Sequence, residues 1–404
     1  MVYKLSSKLG RLFRSRVALG IFIVFLILII DYFGLFLHLL EINYDKFSYP
    51  LDIPMEEVLI ALKKGEKPAH SPINEYSYNY IISNSKKCLQ GNDGNYEKVV
   101  ILYVIKSALN NQNRRDAIRK SWGWENRFSD VNIKRIFMLG VTNDPSFQDQ
   151  IDEEYVRNKD IVQADFIDSY YNNTIKTMMG FKWVVKNCPK AQFIMFSDDD
   201  MYVSTKNLLK FIRNPFNKRV GFRRKRNLNY VLQNNGNYKS LRKVNVSTSE
   251  ATWSNKKFSS RKLSETSLDF DPVLSAFDGR LFAGYVFFSS PMRHKSSKWY
   301  VTIMEYPFSK YPPYVTAGAY VLSYPALEDL YYTSMFTKNF KFDDVYLGIV
   351  AKKCGICPLH NEHFYFWKKP YSSGTYSNVI ASHGYDDPDE LKKVWEEQRS
   401  LGHA

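Results

Sequence analysis

The chain is poor in cysteine, with four among its 404 residues. That number is too small for the disulfide scaffold of a small secreted domain. Cys354 and Cys357 form a C-x-x-C pair, but no second pair and no nearby His-x-x-x-His sequence completes a zinc site. For these two and for Cys88 and Cys188, a lumenal disulfide and plain buried thiols both remain open.

Acidic residues are scarce in two stretches, and this scarcity accounts for the net charge of +15. Residues 1–16 carry five Lys or Arg and no acid, and residues 217–263 carry thirteen against the single acid Glu250. The rest of the chain is therefore nearly neutral. Because the positive charge is confined to a tail and one segment, we do not expect a nucleic-acid partner.

Long apolar runs are scarce too. One uninterrupted run covers residues 17–30, and after Asp31 a second apolar stretch covers residues 32–40. Together they are long enough to cross a bilayer, and no small-x-small cleavage site follows them, as a signal peptide would require. Basic residues precede the run, which predicts a cytosolic tail at residues 1–16, a type II signal anchor at residues 17–40 and a lumenal remainder.

The rest of the chain divides by composition. Residues 41–95 contain scattered Pro, Asn and Ser, which predicts a stem with one short helix near residues 55–64. From residue 96, apolar β-branched runs alternate with helical patterns: strands are predicted at 99–105, 133–139, 161–163 and 192–196, and helices at 114–121, 148–157 and 173–187. This alternation predicts an α/β catalytic domain over residues 96–404.

One segment, residues 217–280, interrupts the alternation. It is basic, rich in Asn and Ser and poor in aliphatic residues. We interpret it as a disordered insertion, with a patch for acidic lipid head groups or proteoglycan as the alternative. Asn245 opens a glycosylation sequon there, which is typical of an exposed lumenal loop, and Asn172 opens another.

Three consecutive carboxylates, Asp198, Asp199 and Asp200, follow the strand predicted at residues 192–196. Ligand sites in α/β sheets lie at the carboxyl ends of strands. In an extended chain, Asp198 and Asp200 share one face and Asp199 points away. Such a pair suits Mn²⁺ or Mg²⁺ carrying a diphosphate, whereas the simpler interpretation is an acidic turn before a helix that starts near Thr205.

Further motifs accompany the triplet in a fixed order. They are RRDAIRKSW at 114–122, DFIDSYYNNTIKT at 165–177, YPPY at 311–314, GAYVLS at 318–323, FDDVYLG at 342–348 and VIASH at 379–383. This set resembles the β1,3-glycosyltransferase family of galactosyl- and N-acetylglucosaminyltransferases over residues 96 to 400. The resemblance implies a GT-A fold, a UDP-sugar donor, a divalent cation such as Mn²⁺, a glycolipid or glycan acceptor and a location in the Golgi membrane.

The resemblance also implies roles for matched residues. The metal ligands are Asp200 and His383. The donor-binding positions are Arg115, Arg119, Asp165, Lys176, Asp198 and Asp199. The acceptor or sugar contacts are Trp183, Tyr314, Gly318 and Asp343. For one of the two arginines, ion pairing on a helix surface remains the alternative, and Asp343 could instead cap the helix that follows it.

Asp344 is the expected catalytic base. Making a β linkage from an α-linked UDP-sugar inverts the anomeric carbon, so one displacement suffices and no protein nucleophile is required. A carboxylate must then accept the proton of the acceptor 3-hydroxyl, and a metal must neutralise the charge that grows on UDP. Ala319 stands where the wider family usually has Gly, a departure that could reshape the donor pocket.

Three functions are therefore in competition. The leading expectation is an inverting β1,3-N-acetylglucosaminyltransferase that moves GlcNAc from UDP-GlcNAc to a glycolipid of the mannosyl-glucosylceramide type. A β1,3-galactosyltransferase acting on glycolipid or glycoprotein uses the same chemistry. A catalytically silent, lumenal sugar-binding relative is the third, and the intact Asp198, Asp200, Asp344 and His383 weigh against it.

Overall fold

The computed structural model describes residues 16–91, 94–215 and 278–404. Asn245, most of the predicted insertion and most of the predicted cytosolic tail lie outside the described residues. The helices are α1 Arg16–Tyr32, α2 Leu35–Leu39, α3 Met55–Lys63, α4 Gln112–Arg119, α5 Ser146–Asn158, α6 Asn173–Asn187, α7 Thr205–Arg213, α8 Tyr324–Met335, α9 Asp343–Lys353 and α10 Pro388–Ser400. The strands are β1 Tyr80–Ile82, β2 Val99–Lys106, β3 Ile133–Val141, β4 Ile161–Ile167, β5 Ala191–Asp198, β6 Tyr202–Val203, β7 Phe282–Phe287, β8 Tyr314–Ser323, β9 Leu359–His360, β10 Phe364–Tyr365 and β11 Ala381–Ser382.

A mixed eight-stranded sheet organises the domain, in the order β1-β4-β3-β2-β5-β8-β7-β9. Strands β4, β3, β2 and β5 run parallel, and β8 pairs antiparallel with β5. Every residue of β2 is buried, as expected for a central strand that is covered on both faces. The predicted α/β architecture is confirmed, with a parallel centre and antiparallel pairs on both sides of it, β1 with β4 and β5 with β8.

Two apolar layers cover the sheet. Side chains of α6, α8 and α9 pack in one core cluster, and those of α4, α7 and α10 pack in the other. A small second sheet, β10-β11-β6, joins the segment after the Asp triplet to the C-terminal region. This sheet brings residues near 381–385 towards the carboxyl end of β5.

Parallel pairing of β2 with β5 determines which residues lie side by side at the carboxyl ends of these two strands. Lys106, the last residue of β2, pairs with Asp198, the last residue of β5. The triplet Asp198–Asp200 therefore begins at the end of a central strand, with Asp199 and Asp200 in the turn that follows. The chain is extended as far as Asp198 and turns at Asp199 and Asp200, so the alternation of an extended chain does not apply to the whole triplet.

The segment predicted as a stem, residues 41–95, packs on the domain. Helix α3 forms near the predicted position and buries Met55 and Val58 against Phe336. Strand β1 adds an antiparallel edge to β4, and Cys88 forms a disulfide with Cys188. A flexible spacer would leave its apolar residues exposed, so in this structure the segment is a part of the folded unit.

The N-terminal part carries its apolar side chains on the outside. Most of the large apolar residues between positions 19 and 40 are exposed, including those along α1 and α2. Within residues 16–91, 94–215 and 278–404, no helix combines the length and the apolar character that a bilayer crossing calls for.

Candidate functional site

A buried lysine joins two of the predicted acidic motifs. The Nζ atom of Lys106 lies 3.1 Å from Asp198 and 2.8 Å from Asp343. Asp343 is the first residue of α9, and Asp198 ends β5, so two stretches of chain about 145 positions apart meet at one cation. The buried Asp343 carboxylate beside the partly exposed Asp198 would be unstable without a counter-charge, and Lys106 supplies it.

Asp344 lies next to this group and differs from Asp343 in its partners. Asp343 accepts hydrogen bonds from Lys106 and from the Thr177 hydroxyl, at 2.8 and 3.0 Å. Burial opposes ionisation of Asp343, but Lys106 outweighs it and holds the pKa of Asp343 below its usual value. Asp344 accepts the adjacent Val345 backbone N–H at 2.7 Å, and no lysine or arginine of the described residues forms an ion pair with it.

Burial, and then the charge of Asp343, raise the pKa of Asp344 to about 7. The two neighbouring carboxyls are therefore pushed in opposite directions, a pattern typical of functional acid–base pairs. Asp343 stays ionised and fixed to Lys106. Asp344 can take up and release a proton near neutral pH.

The other end of the triplet faces a histidine. The Nε2 atom of His383 lies 3.1 Å from Oδ2 of Asp200, and the Tyr385 backbone N–H donates to the Asp200 carbonyl at 2.8 Å. The second carboxylate oxygen of Asp200, Oδ1, is buried and has no hydrogen-bond partner among the described residues. A buried carboxylate oxygen without a donor fits a site for a cation.

The two predicted ligands therefore converge. Carboxylate oxygen and imidazole nitrogen are both suitable ligands for Mn²⁺. Among the residues that the structure describes, no group of three or more His, Cys, Asp or Glu side chains forms a candidate metal site. A cation held by Asp200 and His383 would therefore take its other ligands from a diphosphate and water, as Mg²⁺-like ions commonly do.

Asp199 points away from this space and holds the loop together. It accepts hydrogen bonds from Ser107 at 2.6 Å and from Asn111 at 2.9 Å. Arg114 bridges Asp199 and Asp386, at 3.1 and 2.7 Å. Asp199 was predicted to contact the donor, but all these partners are protein groups. Its carboxylate ties the loop after β2 to the loop that carries His383.

Lys176 lies below the same loop. Its Nζ atom is 2.6 Å from Asp168 and donates to the Ser107 carbonyl at 2.8 Å. The side chain of Lys176 is almost fully buried. The predicted donor contact would require an accessible ammonium, so the structure favours a supporting role beneath Ser107.

Arg115 and Arg119 are paired within the protein, and Arg115 approaches the triplet only through the Ser107 hydroxyl, to which it donates at 3.1 Å. Arg115 is fully buried and forms a two-bond pair with Glu154, at 2.8 and 2.7 Å. Arg119 contacts Glu154 and Asp160 at 2.6 and 2.7 Å. Both guanidinium groups are satisfied inside the fold, so the predicted contact with uridine or diphosphate has no support, and ion pairing accounts for both residues.

Two further predicted contacts lie elsewhere. Trp183 is fully buried in α6 and donates its indole N–H to the Ser83 carbonyl at 2.6 Å, so it cannot stack on a sugar. Asp165 accepts from the backbone and side-chain nitrogens of Asn79, at 2.9 and 3.1 Å. These contacts fasten β4 to the segment before β1, away from the triplet.

Tyr314 and Gly318 do lie beside the site. Burial raises the pKa of Tyr314 to about 12, and the Asp344 charge acts in the same direction, which places this phenol near the predicted base. A Cβ atom added to Gly318 would lie 3.8 Å from His383. Asn172 is half-buried and donates its side-chain amide to the Ile167 carbonyl at 2.8 Å.

The motifs assigned no role to several residues that support the site, among them Lys106, Arg114 and Asp168. The sequence does indicate a buried ion pair for Lys106, because a lysine at the end of an apolar strand needs a counter-charge. The adjacent parallel strand ended in Asp198, at the same edge of the sheet. Arg114 and Asp168 belong to the motifs at 114–122 and 165–177. Their contacts depend on the conformation of loops, which the spacing of residues along the chain does not define.

Comparisons with known proteins identify the family of this chain. A family model described as galactosyltransferase matches residues 113–260 and 273–362. The β1,3-galactosyltransferase brn (brainiac) of Drosophila melanogaster is 38% identical over 381 residues, covering 94% of this chain and 95% of the relative. Human β1,3-galactosyltransferase 1 is 31% identical over 82% of each chain.

A frog relative carries a different name. Lactosylceramide 1,3-N-acetyl-β-D-glucosaminyltransferase A of Xenopus laevis is 32% identical over 330 residues, which cover 79% of this chain and 70% of the relative. The family match spans the Asp triplet and the Asp343–Asp344 pair. The resemblance predicted from the motifs is confirmed, and the chain belongs to the galactosyltransferase family of β1,3-glycosyltransferases.

Proposed function

We propose that this protein is an inverting, cation-dependent β1,3-hexosyltransferase that uses a UDP-sugar in a GT-A-type site. The observation that carries the proposal is the meeting of Asp198, Lys106 and Asp343, which places Asp344 beside the Asp198–Asp200 turn. Family membership supports transfer of a hexose from a nucleotide sugar.

Asp344 accepts the proton of the acceptor 3-hydroxyl as that oxygen attacks the anomeric carbon. Its raised pKa, about 7, gives it the proton affinity that a general base needs at neutral pH. Asp343 and Lys106 hold the start of α9, so the Asp344 carboxylate keeps its place relative to the donor. Since the attack is a single displacement, the product has the β configuration.

Asp200 and His383 would hold the cation, with Asp198 on the donor side of the same turn. A bound divalent cation supplies positive charge against the UDP leaving group. Asp199, Arg114 and Asp386 keep the loop of His383 against the triplet. These residues act by position, because their charges are already paired within the protein.

We further propose UDP-GlcNAc as the donor and a glycolipid of the mannosyl-glucosylceramide type as the acceptor. The name of the Xenopus relative includes both N-acetylglucosamine transfer and a glycosylceramide acceptor. Transfer of galactose to glycolipid or glycoprotein is the second candidate, favoured by the names of the Drosophila and human relatives.

We place the enzyme in the Golgi membrane as a single-pass type II protein, with residues 17–40 as its anchor and the catalytic domain in the lumen. The exposed apolar side chains of α1 and α2 support this placement, because water would not tolerate such a surface. The disulfide between Cys88 and Cys188 also suits an oxidising compartment.

The decisive test is a panel of UDP-sugars with glycolipid and soluble acceptors, run with Mn²⁺ and then with EDTA. We expect transfer from UDP-GlcNAc, loss of transfer with EDTA and recovery when Mn²⁺ is restored. Transfer from UDP-galactose alone would replace the donor assignment with the second candidate. Binding of a UDP-sugar or glycan without turnover of any donor would instead support a silent sugar-binding relative.

A further inference from the structure

The N-terminal helices are fastened to one loop of the catalytic domain, residues 292–304. Lys295 pairs with Asp31 at 2.6 Å, and its backbone N–H donates to the Tyr32 carbonyl at 3.2 Å. The rings of Tyr32 and Phe33 contact His294, with centroids 5.0 and 4.7 Å apart. The end of α1 therefore meets the domain at a defined place.

The next turn of chain approaches the same loop even more closely. Gly34 has a φ of +79°, and a Cβ atom added there would lie 2.3 Å from the Arg293 carbonyl oxygen. Arg293 is buried and donates to Glu41 at 2.8 Å and to the Val301 carbonyl at 2.8 Å. A side chain at position 34 would separate α2 from the loop.

The loop exposes three large apolar side chains. Met304 is 90% exposed, Trp299 53% and Met292 45%, and Leu39 of the adjoining α2 is 78% exposed. We call these four residues the apolar rim. Isolated exposed apolar residues need no explanation, but the loop of the rim contacts the end of α1 through Lys295 and His294, and α1 itself exposes apolar side chains.

Two lysines border the rim. Lys298 places its Nζ atom 4.7 Å from the centre of the Tyr170 ring, and the other, Lys295, pairs with Asp31. Tryptophan and lysine next to an apolar surface are typical of groups that lie at the interface between lipid and water. The composition thus matches a bilayer surface better than a protein partner, whose interface core is depleted of lysine.

The rim also leads to the site. The Nζ atom of Lys298 lies 4.7 Å from the centre of the Tyr170 ring and 5.4 Å from the centre of the Trp299 ring, so the two rings flank one lysine. Burial, and then the charges of Asp344 and Asp343, raise the pKa of Tyr170, which places this phenol on the side of the proposed base. Tyr170 is 47% exposed. A path of exposed aromatic rings therefore runs from the rim towards the proposed base, and such rings suit the apolar faces of sugars.

We propose that the apolar rim rests on the bilayer that holds α1, so that the site takes acceptor head groups from the membrane surface. This inference depends on the proposed anchor and transferase function. It adds a lipid-contacting surface on the catalytic domain, formed by Met292, Trp299, Met304 and Leu39. A head group of a membrane glycolipid would pass Trp299 and Tyr170 to reach Asp344.

A spin label tests the contact without relying on activity. Full-length protein in vesicles of neutral phospholipid is labelled at Met304→Cys or, as the matched control, at the 65% exposed Val156→Cys of α5, both with Cys357→Ser. We expect the label at 304 to collide more with lipid-soluble oxygen than with a water-soluble nickel chelate, and the label at 156 to show the reverse. A water-exposed label at 304 would overturn the proposal.

Activity gives the second measurement. The double variant Met292→Gln with Met304→Gln is expected to lose about fivefold in transfer to an acceptor embedded in the same vesicles. Its rate with a soluble glycoside acceptor should stay at the wild-type level, since neither side chain contacts the site. Equal rates with the embedded acceptor would contradict the proposal, whereas failure of the wild-type protein with every acceptor would count against the transferase function instead.

Discussion

Asp343 and Asp344 are chemically identical neighbours that the fold makes different. Asp343 is fixed by Lys106 and Thr177, whereas Asp344 has no cationic partner of its own in the described structure. The opposite directions of their pKa shifts follow from this difference in partners. At this scale, one lysine decides which carboxyl stays charged and which one exchanges a proton.

Asp344→Asn tests the assignment of the base. We expect transfer to fall by about 10²- to 10⁴-fold, the usual contribution of a general base, while UDP binding changes little. Single-turnover rates and titration of UDP by calorimetry measure the two effects separately. Asp389→Asn, on the exposed start of α10, is the matched control. Undiminished transfer by Asp344→Asn would dismiss the assignment.

The pH profile tests the shifted pKa. A base must be ionised to act, and Asp344 has its pKa raised to about 7 by burial and by Asp343. We therefore expect kcat to be constant above this value and to fall about tenfold per pH unit below it. Asp343→Asn removes the second cause, so the acid limb should move to lower pH. An acid limb near pH 4 in the wild-type enzyme would contradict the environment described for Asp344.

Asp200→Ala and His383→Ala test the cation site. Each should raise the Mn²⁺ concentration needed for half-maximal transfer by at least tenfold, because each removes one of two protein ligands. Titration calorimetry with Mn²⁺ in the presence of UDP provides a readout independent of turnover. His70→Ala, an exposed histidine, should leave both measurements unchanged. An unaltered Mn²⁺ requirement in both site variants would place the cation elsewhere.

The motifs identified residues that face the site better than they identified residues that pair with distant parts of the chain. Asp200 and His383, from two separate motifs, lie 3.1 Å apart, and Asp344 follows Asp343, which shares Lys106 with Asp198. Arg115 was assigned to the donor because arginine suits phosphate. Its partner Glu154 is 39 positions away, and a pairing at that distance is set by the packing of α4 against α5.

At the scale of elements, strong periodicity predicted the centre of the fold. Helix α6 runs over residues 173–187 as expected, and β2, β3 and β5 extend each predicted strand by a few residues. Strand β4 continues to Ile167, past Asp165, because the side chains of Asp165 and Ile167 are exposed at this end of the strand and the Asp165 carboxylate is paired with Asn79. Strand β1 has three residues, too few to carry a pattern of its own.

The ion pairs between α4 and α5 give a prediction at this scale. Arg115→Met removes one partner of a fully buried pair and leaves Glu154 with a reduced set of donors. We expect the free energy of unfolding to fall by about 3–5 kcal/mol, with an unchanged KM for the UDP-sugar. Denaturant unfolding and donor kinetics measure the two quantities.

The double variant Arg115→Met with Glu154→Leu is the control, since it removes both charges together. It should recover much of the lost stability, because replacing a whole buried pair costs less than breaking it. A large rise in donor KM with normal stability in Arg115→Met would instead restore the donor-binding role.

At the scale of the whole molecule, the segment at residues 41–95 defines the limits of the folded unit. Its apolar residues were too widely spaced to predict burial, so composition indicated a stem. In the structure Tyr49, Met55, Val58 and Tyr76 are buried. Some of the residues that cover these side chains lie beyond position 300, so the local sequence does not predict their burial.

Two truncations separate a stem from a part of the domain. A chain starting at residue 41 keeps α3, β1 and Cys88, so it should fold and transfer sugar to a soluble acceptor at nearly the full rate. A chain starting at residue 96 loses an edge strand, buried side chains of α3 and the disulfide, and exposes the surfaces that they cover. We expect it to aggregate or to unfold at a markedly lower temperature.

The full-length variant Cys88→Ser with Cys188→Ser isolates one of these losses, since a cross-link closing about 100 residues is worth about 4–5 kcal/mol in the chain-entropy account. Equal melting temperatures for the two truncated chains would show that residues 41–95 act as a spacer after all.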